Sequence, residues 1–208
     1  MLIAALSATV IWDMSLMEVQ SSLNPDLAEV NIKMLKYFQI MQSLGLFIVS
    51  SIVIVWYLYG HTGAHYLLIK KMPKPNFIFA GILLIVFSLP FINLLGELNS
   101  WLNLPPFLQG VQQTMERMET DAGRLTELFL AINNPGDLWL NILMIAVIPA
   151  IGEELLFRGI LQRQIAALSN NNHLAIWISA FFFSAMHMQF FGFLPRLVLG
   201  VLFGYLLI

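Results

Sequence analysis

The chain has 208 residues, 59% of them hydrophobic and only 11% charged, with a formal net charge of −2 and no cysteine. Soluble domains carry roughly 25% charged residues, and a mean hydropathy of +0.79 means more apolar surface than one soluble core of this size can hide. This balance excludes a soluble globular protein and a basic nucleic-acid-binding stripe. It also excludes disulfides, thiolate metal sites and a cysteine nucleophile, and makes membrane lipid the chain's surroundings.

In chain order, residues 1–12 are apolar and lack the basic start and cleavage site of a signal peptide; they read as the end of a membrane helix. A polar segment follows over 13–34, with Asp13, Glu18, Asp26 and Glu29. Residues 35–59 form a full span ending in Trp56, Tyr57 and Tyr59, an interfacial aromatic belt. A basic loop over 60–75 holds Lys70, Lys71 and Lys74. Residues 76–98 form the next span, with Pro90 as an expected kink. The connection over 99–137 contains apolar residues at helical spacing (Val111, Met115, Met118, Leu125, Leu128, Phe129), which predicts one interfacial amphipathic helix.

Residues 138–168 make a further span, closed by the polar turn Ser169-Asn170-Asn171-Asn172. Residues 174–191 form another, broken over Gly192 to Pro195, and 196–208 begin a last one. The run to Ile208 stops in mid-hydrophobic stretch, so a fragment of a longer protein is expected. The fold class is all-α, a polytopic transmembrane helical bundle, read as a single membrane domain over 1–208 that is itself partial. The three loop lysines place 60–75 in the cytoplasm by the positive-inside rule.

Most charges lie in loops. The exception is Gly152-Glu153-Glu154-Leu155-Leu156-Phe157-Arg158, inside an apolar helix. A charge at the bilayer centre costs at least ~2.5–3.5 kcal/mol on insertion scales. Glu154 and Arg158 are four apart and can pair on one helical face, while Glu153 points about 100° away and can face a cavity. A solvated helix end near the interface would also accommodate such a cluster. His187 adds to it: in a helical hairpin about the 169–172 turn, Glu153 and His187 lie level, each ~25 Å along its helix from the tip. A carboxylate and an imidazole at one depth can bind a metal or polarise a water. A lone intramembrane histidine otherwise serves helix–helix hydrogen bonding.

His61 and His65 are four apart but flank Gly63 in a loop and read as interfacial. His173 reads as solvated. Gly200 and Gly204 form a GxxxG pattern that permits close helix packing, and Arg196 lies on the same face. Neither a nucleophilic Gly-x-Ser-Gly nor a pair of intramembrane aspartates is present.

At these residues the chain resembles the CPBP intramembrane protease family, which includes the CAAX prenyl proteases and the Abi-type bacteriocin-processing proteins. Glu153, Glu154 and Arg158 match the family's Glu-Glu-x-x-x-Arg motif. Phe183 and His187 match its Phe-x-x-x-His motif. The resemblance covers roughly residues 140–208 and its GEELLFRG context looks bacterial. A further family motif, a His with an Asn or Asp four residues on, has no match after His187.

The resemblance implies an intramembrane endopeptidase acting on a membrane-associated peptide or protein, in a bacterial inner membrane. Glu153 would activate water. His187 would bind a divalent metal, zinc by preference and with Glu153 as a possible second ligand, or polarise the water. Glu154 and Arg158 would orient the site, or Arg158 would stabilise the oxyanion. Two other readings stand beside it: a non-enzymatic immunity factor or scaffold that keeps the fold, and a proton-coupled transporter, which would show inverted repeats.

Overall fold

The computed structural model describes residues 2–22, 31–63, 75–101, 104–132 and 135–208. These residues are helical and contain no strand. The helices are α1 (Leu2–Trp12), α2 (Leu16–Ser22), α3 (Ile32–Thr62), α4 (Pro75–Ser100), α5 (Gln109–Leu130), α6 (Pro135–Ser169), α7 (Asn172–Ala185) and α8 (Phe193–Leu206). Three segments are long and apolar enough to cross a membrane: α3, the Gly81–Asn99 part of α4, and α6. The chain is thus an all-α membrane protein. The lysines of the basic loop, and Asp26, Glu29 and His65, lie outside the described residues.

Capping chemistry sets several boundaries. Ser15 and Glu18 form a capping box at α2: the Ser15 N–H donates to Glu18 Oε2 at 2.7 Å and the Glu18 N–H to Ser15 Oγ at 3.3 Å. Asn31 caps α3 by accepting the Met34 N–H at 3.2 Å. Pro135, with its fixed φ, opens α6, and Asp137 in the first turn complements the helix dipole. At the far end, Asn170 takes the left-handed conformation (φ 51°) and Asn171 caps α7 through the Leu174 N–H. The expected asparagine turn is therefore a C-cap and an N-cap back to back.

Long apolar helices here are not uniform. α3 has a π-helical stretch at Leu44–Val49, and α6 has two, Ile142–Val147 and Glu154–Leu161. The first of these in α6 leads into Pro149, which has no N–H to continue the ladder. Insertions of this kind recur at functional sites. α5 is the expected amphipathic helix, and none of its residues is buried.

By contact, the chain divides into two compact units, Met1–Ile54 with Ala122–Leu156, and Val55–Asp121 with Phe157–Ile208. In the first, Ala4 and Ala8 of α1, Val19 of α2, and Met34 and Phe38 of α3 form a buried cluster. Two alanines on one face allow α1 to approach α3 closely. Trp12 meets Tyr37 edge to face at 5.3 Å, and the Ser7 and Tyr37 hydroxyls share a hydrogen bond. Lys36 is buried, and its Nζ donates to Asn141 Oδ1 of α6 at 2.7 Å.

In the second unit, α7 folds back on the end of α6, and α8 packs along α7 and against α4. Gly200 and Gly204 make that approach possible: a Cβ at Gly200 would lie 2.9 Å from Ala180 Cβ, and one at Gly204 2.8 Å from Ile176 Cγ2. Gln162 of α6 donates to the Gly204 carbonyl at 3.1 Å.

Candidate functional site

Glu153 and Glu154 lie near the end of the α6 portion of the first unit, which runs to Leu156. Glu153 is half-buried and Glu154 exposed. Their backbone is set by Gly152, which is buried where α6 meets α3. A Cβ there would sit 2.6 Å from Phe47 Cβ and 3.2 Å from Ile48 Cγ1, so only glycine fits without movement. The α-helical register used to place the two carboxylates holds up to Glu153. From Glu154 onward the ladder is i→i+5, and 3.6-residue face arithmetic no longer applies.

Arg158 and His187 belong to the second unit and meet there on one residue, Phe183. The Arg158 guanidinium is buried at 4% exposure and lies over the Phe183 ring, 4.5 Å from its centroid. Its Nη2 donates to the Gly200 carbonyl at 3.5 Å, and the Phe203 ring lies 5.8 Å away. A guanidinium on an aromatic face gains electrostatic attraction without further desolvation of a carboxylate. Phe157 braces the same ring edge to face at 5.4 Å.

The main chain of Phe183 carries the histidine. His187 Nδ1 lies 2.9 Å from the Phe183 carbonyl oxygen, and the two rings pack edge to face at 5.1 Å. A carbonyl can only accept, so Nδ1 holds a proton, and in the neutral ring Nε2 then carries the lone pair. That is the tautomer needed of a base, a ligand or an acceptor. Ser179 Oγ donates to the Phe157 carbonyl at 3.0 Å and locks α7 against α6, as the expected hairpin requires.

The placement of His187 corrects the reading from sequence. The histidine is not deep in a helix over 174–191. α7 ends at Ala185, and His187 lies in the turn that follows. Here the N–H of His187 bonds to Ser184 at 3.3 Å and that of Met188 to Ala185 at 3.1 Å, and Met188 has φ 52°. Tightening to i→i−3 bonds and one left-handed residue stop the helix. The break begins at 186, before the Gly192 to Pro195 stretch, and Pro195 is already inside α8.

Arg196 lies one turn before the glycine strip, in the first turn of α8. It folds back, Nη1 donating to the Gln189 carbonyl at 3.3 Å and Nη2 to Gln189 Oε1, across Gly192. His173 is exposed and shares a 2.8 Å hydrogen bond with the Tyr205 hydroxyl. His61 is exposed in the 3₁₀ turn, Gly60–Thr62, that ends α3. Sequence reading missed Asn99, a buried amide at the end of α4 that donates to the Phe190 carbonyl at 2.7 Å. An asparagine at the end of an otherwise apolar span was the available signal.

A catalytic zinc takes three protein ligands. Among the described residues no three His, Asp or Glu side chains gather as a set able to hold a metal ion. Glu153 and His187 alone do not complete such a set.

Helical membrane architecture, an acid-acid-arginine motif and a histidine keyed to a neighbouring phenylalanine define the class: an α-helical membrane protein with ionisable side chains set among apolar segments. Residues 135–208 match the family model described as type II CAAX prenyl endopeptidase Rce1-like. The match covers both motifs and agrees with the CPBP resemblance. It points to an intramembrane protease, hence to a peptide or protein substrate at the membrane. No curated protein and no solved structure matches the chain.

Proposed function

We propose that the chain carries the water-activating machinery of an intramembrane endopeptidase. Glu153 acts as general base, His187 as the group that polarises the water or the developing oxyanion, and Arg158 with Glu154 as the electrostatic support. The Glu153 carboxylate takes a proton from water as the hydroxide oxygen attacks the scissile carbonyl carbon. The tetrahedral oxyanion is stabilised by the positive field of Arg158 and by His187. The C–N bond then breaks, and the proton on Glu153 passes to the leaving amine, giving a carboxylate and a free amine.

The observation that carries this reading is the double use of Phe183. Its ring seats Arg158, from one motif, and its carbonyl fixes the tautomer of His187, from the other. On this reading the substrate is a membrane-associated peptide or protein in a bacterial cell membrane, and the family description makes a lipid-modified CAAX-type peptide the first probe.

The test is hydrolysis of a quenched fluorogenic farnesylated CAAX peptide by the protein in liposomes. Glu153→Gln and His187→Ala are each expected to abolish cleavage while leaving the folded yield unchanged. Full cleavage by Glu153→Gln would overturn the assignment. Running the assay with a zinc chelator separates direct water activation from a metal-assisted route.

A further inference from the structure

His187 is not on a helix, so its direction depends on what holds the turn 186–192. Two of the restraints are local. Ser184 Oγ donates to the Phe193 carbonyl at 2.6 Å and closes the base of the turn, and Arg196 clamps Gln189. The third comes from another membrane span. Asn99, 1% exposed at the end of α4, donates its Nδ2 to the Phe190 carbonyl at 2.7 Å. That carbonyl also accepts the Phe193 N–H at 3.0 Å, so Asn99 fills its second acceptor position.

A buried carboxamide among apolar side chains is costly unless its hydrogen bonds are made, and a leucine would pack the same position at lower cost. What the amide adds is a directed bond to a main-chain atom three residues from the histidine. It ties the turn to a span that is remote in sequence, where the local clamps only tie it to its own flanks. We infer that Asn99 is a positioning residue for His187: it fixes the turn so that the imidazole, with Nδ1 on the Phe183 carbonyl, presents Nε2 in one direction. This rests on the proteolytic reading for its catalytic consequence and stands without it for its structural one.

The experiment uses the full chain in liposomes with the farnesylated CAAX peptide, comparing wild type, Asn99→Leu and Asn99→Gln, each normalised to folded protein. Asn99→Leu keeps the branched four-atom side chain and loses the donor. Its kcat is expected to fall about 10- to 100-fold with KM within about twofold, the size of effect that small misplacements of a reacting group produce. Asn99→Gln keeps the amide and is expected to recover most of the loss. If Asn99→Leu does not fold, Asn99→Ser, which is too short to reach Phe190, takes its place.

A second readout does not need activity. The chain has four histidines, and the His187 ring signal in protein labelled at histidine is assigned by its loss in His187→Ala. One sharp signal in wild type that splits or broadens in Asn99→Leu supports the inference. An unchanged signal together with unchanged kcat per folded molecule overturns it. Should wild type leave the peptide uncut, the proteolytic reading fails, and the ring signal alone decides whether Asn99 orients His187.

Discussion

Gly152→Ala is the substitution whose consequence the structure fixes most tightly. The new Cβ would stand 2.6 Å from Phe47 Cβ, whereas carbon atoms in contact settle at ~3.5–4.0 Å. About 1 Å must therefore be found. Phe47 cannot yield it by changing rotamer, because a Cβ is fixed by its own backbone. The two helix segments must part, and overpacking of this kind costs ~1–3 kcal/mol, which lowers the unfolding temperature of a chain this size by roughly 2–12 °C. Glu153 is the next residue and moves with the helix, so cleavage is expected to drop by about 10²-fold as well.

Thermal unfolding in detergent, followed by circular dichroism, measures the first effect. Gly45→Ala is the control: it lies on the partner helix segment with nothing within 4 Å of its would-be Cβ. It should be neutral or stabilising by up to ~1 kcal/mol. The atom in the way also dictates the suppressor. Phe47→Ala retains Cβ and should not relieve Gly152→Ala, whereas in a Phe47→Gly background the added methyl should cost markedly less. Wild-type unfolding of Gly152→Ala, or equal relief by Phe47→Ala and Phe47→Gly, would refute the close-approach argument.

Three further outcomes are expected. Gly200→Ala should destabilise more than Gly204→Ala in the same unfolding assay. Its methyl meets Ala180 Cβ at 2.9 Å and Ala180 Cα at 3.2 Å, whereas the atoms opposing Gly204 belong to the side chains of Ile176 and Gln162. Lys36→Met should cost about 1–3 kcal/mol because it leaves the buried Asn141 amide unpaired, and Lys36→Met with Asn141→Leu should recover most of that. At α2, the backbone and hydroxyl bonds from Ser15 hold the Glu18 carboxyl below the usual carboxylate range. A folded-state pKa below the unfolded one gives stability that is present at neutral pH and lost as pH falls through the depressed value. Hydrogen-exchange protection over 16–22, taken relative to the intrinsic rate at each pH, should therefore fall in acid, and Glu18→Gln should remove that dependence.

Much of the architecture was legible because hydropathy and caps are local. The spans around 35–59, 76–98 and 138–168, the amphipathic helix and the asparagine turn each follow from residues within one or two turns of one another. What escaped reading is tertiary or depends on helix type. The i→i+5 stretch over Glu154–Leu161 has no composition that distinguishes it from an α-helix. The Lys36–Asn141 pair joins residues 105 apart, and Lys36 reads from sequence as one more charge near a polar segment. Motif matching singles out Glu153, Glu154, Arg158 and His187, but it carries no information about the secondary structure each one occupies.

His187 shows why that distinction matters. In an apolar run such as Ala180 to Phe191, periodicity favours continuing the helix, and no glycine or proline precedes His187 to end it. The helix ends nevertheless, and side chains hold the turn that follows it. Ser184 and Asn99 take the carbonyls of Phe193 and Phe190, and Arg196 takes that of Gln189. Irregular backbone inside a membrane protein is tolerable only where its polar groups are satisfied by protein or water, and here polar residues from three separate helices do that work. A histidine in a regular helix would have its direction set by the helix alone. One placed in a stapled turn can be aimed by residues that need not touch substrate, which is why Asn99, absent from both motifs, belongs to the same functional argument as His187.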